Sequence, residues 1–361
     1  HKYAYDRDGR LIYADNDRYQ VRLIRGKGGQ VLEEIQNGYS IKHSYDSSGL
    51  RLKRMSILGE DLTNAYNPLG ELVETSSQLN SKLRWQASFG YDTLSREVFR
   101  KLPGDLDEQR QYDPMGYLSL QHTTHRGYEV SSSSYCWDVA GRLRSILQGY
   151  YFREFLYDHR GNLTDAYYDH SDHVQRVADR IGNLYPDESY PFRKVKYDKG
   201  GRIREDQDWT YHHNEEGFLL KRVSKSVVVE RYDYIKRKRF SEPQTWTYEW
   251  DGAGQLIAVS NNEQKDMGGK PVHLRFEYDA LGRRTAKISV WGRSAYHRVT
   301  RFLWDGDVPL HEWTYEGSEQ PKTKLTKEGH RYYPEGEPET ELTTWLFEEG
   351  TFVPMAKFVG E

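Results

Sequence analysis

The sequence predicts an all-β protein, made of tandem β-hairpins that pair edge to edge into one long, curled sheet. Three observations carry the prediction: a recurring phrase, aromatic-Asp-x-x-Gly-x-Leu; a spacing of 20 to 25 residues between many of its copies; and a composition rich in rings but poor in aliphatic residues. The 361 residues include 29 Tyr, 12 Phe and 9 Trp, yet only 36% are hydrophobic and 30% are charged. With a mean hydropathy of -0.93, such a chain lies near the composition of segments that bury too little apolar surface to offset the entropy of ordering. The rings reverse that balance. Each buries a large area, Tyr and Trp keep a polar tip, and all three favour strands.

The phrase appears in full as Tyr5-Asp6-Arg7-Asp8-Gly9-Arg10-Leu11, Trp137-Asp138-Val139-Ala140-Gly141-Arg142-Leu143, Tyr157-Asp158-His159-Arg160-Gly161-Asn162-Leu163 and Trp250-Asp251-Gly252-Ala253-Gly254-Gln255-Leu256. Single substitutions give copies at Tyr66 to Leu72, Tyr112-Asp113-Pro114-Met115-Gly116, Tyr197-Asp198-Lys199-Gly200-Gly201 and Tyr278-Asp279-Ala280-Leu281-Gly282. Weaker copies start at Arg25, Tyr45, Tyr91 (Ser95 replaces Gly), Ala178, His213 and Trp304 (Val308 replaces Gly), about fourteen copies in all.

Each position has a physical task. The aromatic residue ends a strand with period-two alternation, as in Trp246-Thr247-Tyr248-Glu249-Trp250. Asp then accepts backbone N–H groups two or three residues on, and Gly supplies the positive φ that closes a short loop. Leu or Ile after the Gly starts the returning strand, which places aromatic and aliphatic side chains on one face. A single hairpin is barely stable alone, so neighbours must pair in a quasi-one-dimensional array. A long twisted sheet cannot stay flat. The shortage of aliphatic residues favours a curved wall with two partly wet faces over a packed sandwich.

Composition also excludes several classes. One cysteine, Cys136, allows neither an intrachain disulfide nor a multi-Cys zinc site. The longest purely aliphatic run is Val227-Val228-Val229, far short of a membrane span, and the opening His1-Lys2-Tyr3-Ala4-Tyr5 is no signal-peptide core. That opening lies inside a patterned segment, so the chain is expected to be a piece of a longer protein. A formal charge of -3 gives no global drive toward nucleic acid.

The Tyr-Asp-x-x-Gly-Arg-Leu phrase at this spacing resembles the YD-repeat or Rhs (rearrangement hotspot) family over roughly residues 3 to 310. The stretch from Arg301 to Asp307 with Leu310-His311-Glu312, followed by Trp345 to Ala356, resembles the end of a bacterial Rhs core. The resemblance implies that residues 1–310 form a repeat array belonging to a hollow β-cocoon. Residues 311–361 would be its Glu-rich C-terminal end; residues 311 to 349 hold ten Glu against four Lys or Arg. It further implies that the cocoon encloses a C-terminal toxin, and that the protein is secreted or delivered from a bacterium, as in type VI secretion effectors with an N-terminal PAAR domain. Related cocoons occur in insecticidal toxin complexes and teneurins. The partners implied are the enclosed toxin domain, the remaining shell segments and secretion-spike proteins reached through the N-terminal domain. The family's Asp-Pro-x-Gly-Leu self-cleavage segment is expected beyond this chain, since Asp113-Pro114-Met115-Gly116 lies in repeat register.

Chemical candidates are weighed against that frame. His122 and His125, like His170 and His173, stand three apart and on a strand face opposite sides; with the adjacent His212 and His213 they read as exposed hairpin histidines rather than metal ligands. Arg25-Gly26-Lys27-Gly28-Gly29 lacks the spacing of a phosphate loop and reads as a turn. Most Asp residues occupy turn positions, which leaves no carboxylate pair for glycoside chemistry. The segment from Lys221 to Arg239 carries eight Lys or Arg, interleaved with Tyr232 and Tyr234; it reads as a solvated strand face before a nucleic-acid surface. The expected function is therefore non-enzymatic, with no cofactor or metal: a shell fragment that encloses and helps deliver a toxin. The alternative is a surface-exposed adhesion module binding carbohydrate or protein through its aromatics.

Overall fold

The structure, a computed structural model, describes residues 1–169, 172–185, 195–233, 238–262, 273–290, 297–317, 321–337 and 339–360, without the side chains of 229–233, 238–240, 290 and 297. Every helix or strand assigned among these residues is a strand, 33 in all, and no described helix is long and apolar enough to cross a membrane. Pairing is antiparallel and almost wholly between consecutive strands, as tandem hairpins require. The chain divides into two compact units, one of residues 1–43, 55–58 and 208–361, the other of residues 44–54 and 59–207.

The second unit is a meander in which two kinds of turn alternate. At one end stand the phrase turns. At the other stand two-residue loops such as Asn80-Ser81, with φ of 48° and 66°, and Arg126-Gly127, with φ of 52° and 81°. Positive φ at both central residues matches the strand twist and joins the strands tightly. The protected face is partly polar. Glu60, Leu62 and Asn64 alternate inward along Glu60–Tyr66, and Trp85, Ala87 and Phe89 do so along Lys82–Tyr91. Glu60 accepts from Arg54 Nη2 at 3.0 Å and Ser77 Oγ at 3.3 Å, and Thr75 Oγ1 donates to Asn64 Oδ1 at 2.7 Å. Such pairing is what lets polar groups lie on a buried face.

The first unit departs from the expected wall with two wet faces. Its N-terminal strands, including Gln20–Arg25 and Val31–Gln36, pack onto the sheet that runs from Trp209–His213 through Val308–Gly317 to Pro354–Val359. Ile41, Ala286, Ile288, Val299, Leu303, Leu310, Trp313 and Tyr315 form an apolar core there. Each segment contributes only one to three residues to it, so the core arises from juxtaposition of distant segments and escapes a composition argument. Beyond residue 310 pairing continues from Val308–Gly317 to Thr343–Phe347 and Pro354–Val359. The intervening residues 321–337 dock on the N-terminal hairpins: Gln20 Nε2 donates to Gly329 O at 2.9 Å and Arg331 N to Gln20 Oε1 at 3.0 Å.

Candidate functional site

The repeat phrase has one geometry across most copies. In the first, Asp6 Oδ1 accepts from Asp8 N and Arg10 N, both at 2.9 Å, while Gly9 N donates to Asp6 O at 3.1 Å and Asp6 N to Arg10 O at 2.9 Å. The same paired acceptance is made by Asp113, Asp138, Asp158, Asp251 and Asp279. The carboxylate thus takes N–H groups two and four residues on, not two and three. The left-handed Gly between them turns the fourth N–H back toward the Asp. Phrase glycines Gly9, Gly116, Gly141, Gly161, Gly254 and Gly282 have φ between 74° and 90°, and Ser95 adopts 61° where it replaces Gly.

Two copies depart from this pattern. Asp198 ends its strand opposite Arg202, its carboxylate accepts from Arg204 Nη1 at 3.4 Å, and both Gly200 and Gly201 have positive φ. The doubled glycine changes the path of a loop of the same length, three residues between the Asp and its partner. At Trp304 the turn is a two-residue one between Asp305 and Val308, with Gly306 at φ 59°, so Val308 does not stand for the phrase glycine.

The residue after the glycine has a task that sequence reasoning missed. Arg10, Arg96, Arg142 and Arg283 donate Nε to the second oxygen of their own turn Asp at 2.7 to 2.9 Å, and Asn162 and Asn183 substitute Nδ2 at 3.0 and 2.9 Å. Backbone N–H of Arg10 and Arg142 lowers the pKa of Asp6 and Asp138, with help from the guanidinium; for Asp92 and Asp158 the Arg96 and Asn162 side chains lead.

Most phrases are also tied to the one before them. The polar tip of the aromatic donates to the carbonyl two residues past the preceding phrase's glycine position. Tyr112 Oη donates to Glu97 O, Trp137 Nε1 to Leu118 O, Tyr157 Oη to Leu143 O and Tyr197 Oη to Leu184 O. Trp250 Nε1 donates to Leu219 O and Tyr278 Oη to Leu256 O, and Tyr66, Tyr91 and Trp304 do likewise, all at 2.5 to 3.2 Å. Arg25 Nε reaches Leu11 O in the copy that lacks an aromatic. The residue after the glycine then covers the next ring: Arg96 on Tyr112 at 4.8 Å, Arg142 on Tyr157 at 5.0 Å, Tyr117 on Trp137 at 5.2 Å and Phe218 on Trp250 at 5.0 Å. Tyr5, in the first copy, is exposed. The phrase is therefore a staple between repeats as well as a turn.

Three outcomes follow from this geometry. Gly116→Ala, with only Arg96 Nη1 at 3.9 Å from an added Cβ, isolates the cost of positive φ, expected at about 1 kcal/mol. Gly141→Ala adds a collision with the Tyr117 ring and should lose more by urea denaturation. Tyr157→Phe removes the bond to Leu143 O but keeps the ring under Arg142, so a loss of about 1 kcal/mol is expected in the same measurement.

Other sequence candidates fall into ordinary contacts. His122 lies 3.5 Å from Glu129, His125 is exposed, and His173 pairs with Asp165 at 2.9 Å and stacks on Tyr167 at 4.3 Å. His170, Tyr234 and the side chain of Tyr232 lie outside the described residues, as does much of the basic segment. Among the described residues no group of three His, Cys, Asp or Glu is placed to hold a metal. Gly26 and Gly29 occupy a phrase-like turn, with Gly29 N donating to Gly26 O at 2.9 Å.

A buried ionic cluster in the first unit joins residues whose pairing the repeat phrase does not announce. Arg301 donates to Glu337 Oε1 at 2.6 Å, to Glu277 Oε2 at 3.1 Å and to Tyr19 Oη. Beside it Arg283 joins its own Asp279 to Glu34 Oε1 at 2.7 Å and to Gly306 O at 2.6 Å. His311, fully buried, bridges Thr344 Oγ1 at 3.0 Å and Ser56 Oγ at 2.8 Å. Arg301, Arg283 and Glu34 are indistinguishable in sequence from surface charges; only packing selects them.

The uniform turns, the inter-repeat staples and the all-strand content define a YD-repeat shell protein. Residues 108–307 match the family described as Teneurin YD-shell, and the chain belongs to that family. It is 25% identical over 353 residues to the toxin protein Tse5 of Pseudomonas aeruginosa, covering 85% of this chain and 24% of that protein. It is 30% identical over 329 residues to the double-stranded DNA deaminase toxin A of Burkholderia cenocepacia, covering 84% of this chain and 19% of that one. The chain thus spans about a fifth to a quarter of these relatives. Its fold is similar to part of the crystal structure of TcdB2-TccC3-Cdc42, with a TM-score of 0.55 at 14% identity over 96% of this chain and 20% of that one.

Proposed function

We propose that this chain is a non-enzymatic part of the wall of a toxin's shell, which encloses a C-terminal toxin domain until delivery from the bacterium that makes it. Residues 1–310 serve as repeat wall and 311–361 as its closing segment. The observation that carries this reading is the staple. Nine of the aromatic tips bond the preceding repeat, so the phrase propagates a continuous sheet, and in several copies it leaves its own Asp and Arg engaged with each other. A wall is what such residues build. The relatives support it, because a toxin named for DNA deamination and Tse5 share this segment as only a fraction of their length. Self-cleavage and toxin chemistry would reside in the rest, as would contacts to secretion-spike proteins.

The test is limited trypsin digestion of the full-length natural protein. The C-terminal domain should survive far longer inside the intact protein than when expressed alone; equal digestion rates would overturn enclosure. A second reading has one observation in its favour: Tyr128, Tyr150 and Tyr151 are exposed at the short-turn end of the second unit. Glycan-array binding by the full chain that is lost in Tyr150→Ala would favour adhesion.

A further inference from the structure

In the first unit, residues 321–337 leave the C-terminal sheet without joining it. The strands on either side of them, Val308–Gly317 and Thr343–Phe347, pair directly, His311 with Thr344 and Glu312 with Thr343, so a short turn between them would close that ladder. A long excursion stands there instead.

The excursion contains a repeat that sequence reasoning missed. Thr326 N donates to His330 O at 2.8 Å, Gly329 N to Thr326 O at 3.0 Å and His330 N to Thr326 Oγ1 at 3.1 Å, with Gly329 at φ 81°. These are the bonds of the Asp6 turn, with a hydroxyl in place of the carboxylate. The register agrees: Leu325 pairs with Arg331 as Tyr5 pairs with Leu11. Leu325 thus holds the aromatic position, yet it is exposed and has no polar tip to bond a preceding repeat. The two short strands, Lys324–Leu325 and Arg331–Tyr332, pair with each other alone among the described residues.

Lacking a staple, this repeat is held by side chains of the N-terminal hairpins. Gln20, which is buried, bonds both Gly329 O and Arg331 N. Arg22 Nη1 meets His330 Nε2 at 3.1 Å, Asn37 Nδ2 donates to Tyr333 Oη at 3.5 Å, and Arg331 Nη2 lies 3.8 Å from Asp15 Oδ1. At the far end Glu337 accepts from Arg301 and Tyr315 of the C-terminal sheet. The segment therefore fastens hairpins to sheet, while the ladder beside it closes without it. Elements held by few backbone bonds are the ones that open below the global unfolding free energy.

We propose that residues 321–337 are a releasable strap, a diverted repeat that clamps the N-terminal hairpins to the C-terminal sheet and whose displacement frees those hairpins while the sheet stays paired. This role is internal to the first unit and holds whether or not the shell encloses a toxin. The test is hydrogen exchange on the full chain with residues 318–337 replaced by Asn-Gly, a pair suited to a two-residue hairpin turn. Arg301 keeps Glu277 and Tyr19 in that variant. Exchange at residues 20–25 and 31–36 should quicken at least about tenfold, while 308–317 and 343–347 keep their protection. A synthetic peptide of residues 318–337, added in excess, should restore the hairpins' protection. His330→Ala leaves the strap in place, removes its contact with Arg22 and should quicken exchange at 20–25 about threefold without change at 343–347. Unchanged exchange at 20–36 in the replaced chain, loss of protection at 343–347 alongside it, or failure of the peptide to restore it would each overturn the strap.

Discussion

Replacing Arg301 with Ala is expected to destabilise the first unit by about 3–5 kcal/mol, the range for removing one partner of a buried ion pair. The Arg301 side chain is 4% exposed, and its guanidinium is shared by Glu337, Glu277 and Tyr19. Burial works against its charge, but the coulombic pull of Tyr19, Tyr333 and Glu337 holds its pKa above the ordinary value. Glu337 behaves in the opposite sense: burial raises its pKa and Arg301 opposes the rise. Without Arg301 the carboxyl loses that opposition, so its folded pKa climbs further above its unfolded one. A raised carboxyl favours folding below its unfolded pKa and loses that contribution as pH rises through the folded value. The deficit of Arg301→Ala should accordingly shrink as the pH is lowered. Urea denaturation across pH reads both effects. Hydrogen exchange should place the loss at residues 297–317 and leave 118–137 unchanged. A loss below about 1 kcal/mol would mean that the cluster is as weak as a surface pair.

The contrast between that cluster and the repeat turns shows what a single sequence can disclose. The turn is local: Asp138, Gly141 and Arg142 lie within five residues, and a left-handed glycine leaves a mark in sequence because few residues replace it. The fold class followed from repeating that unit. The staple from Trp137 to Leu118 spans 19 residues and ends on a carbonyl, which every residue carries, so no side chain announces it. Arg301 and Tyr19 stand 282 positions apart, and no repeat phrase links them. Asp198 and Trp304 were misread for a related reason: the phrase was matched by residue type, whereas Gly200 gives one loop a different path at the same length and Gly306 shortens the other. Local chemistry was legible, and anything decided by which distant strands meet was not.

Trp313→Ala is expected to cost about 3–5 kcal/mol, the range for truncating a buried aromatic side chain. Trp313 is 2% exposed, lies in the core with Leu303 and Leu310, and meets the Tyr39 ring at 5.3 Å. Truncation would remove contact between the N-terminal strands and the strands around residues 286–315, where aliphatic residues are too few to close the gap. Trp137→Ala supplies the comparison. That ring is half-buried, and it loses one hydrogen bond to Leu118 O, at about 1 kcal/mol, and one stacking contact with Tyr117, at about 0.5–1.5 kcal/mol. If strand-to-strand staples alone held this protein, the two substitutions would cost similar amounts. A larger loss at Trp313, read by urea denaturation with hydrogen exchange to assign the unit, means that the first unit depends on a packed core as well as on its edges. Equal losses would return it to the simple wall that composition suggested.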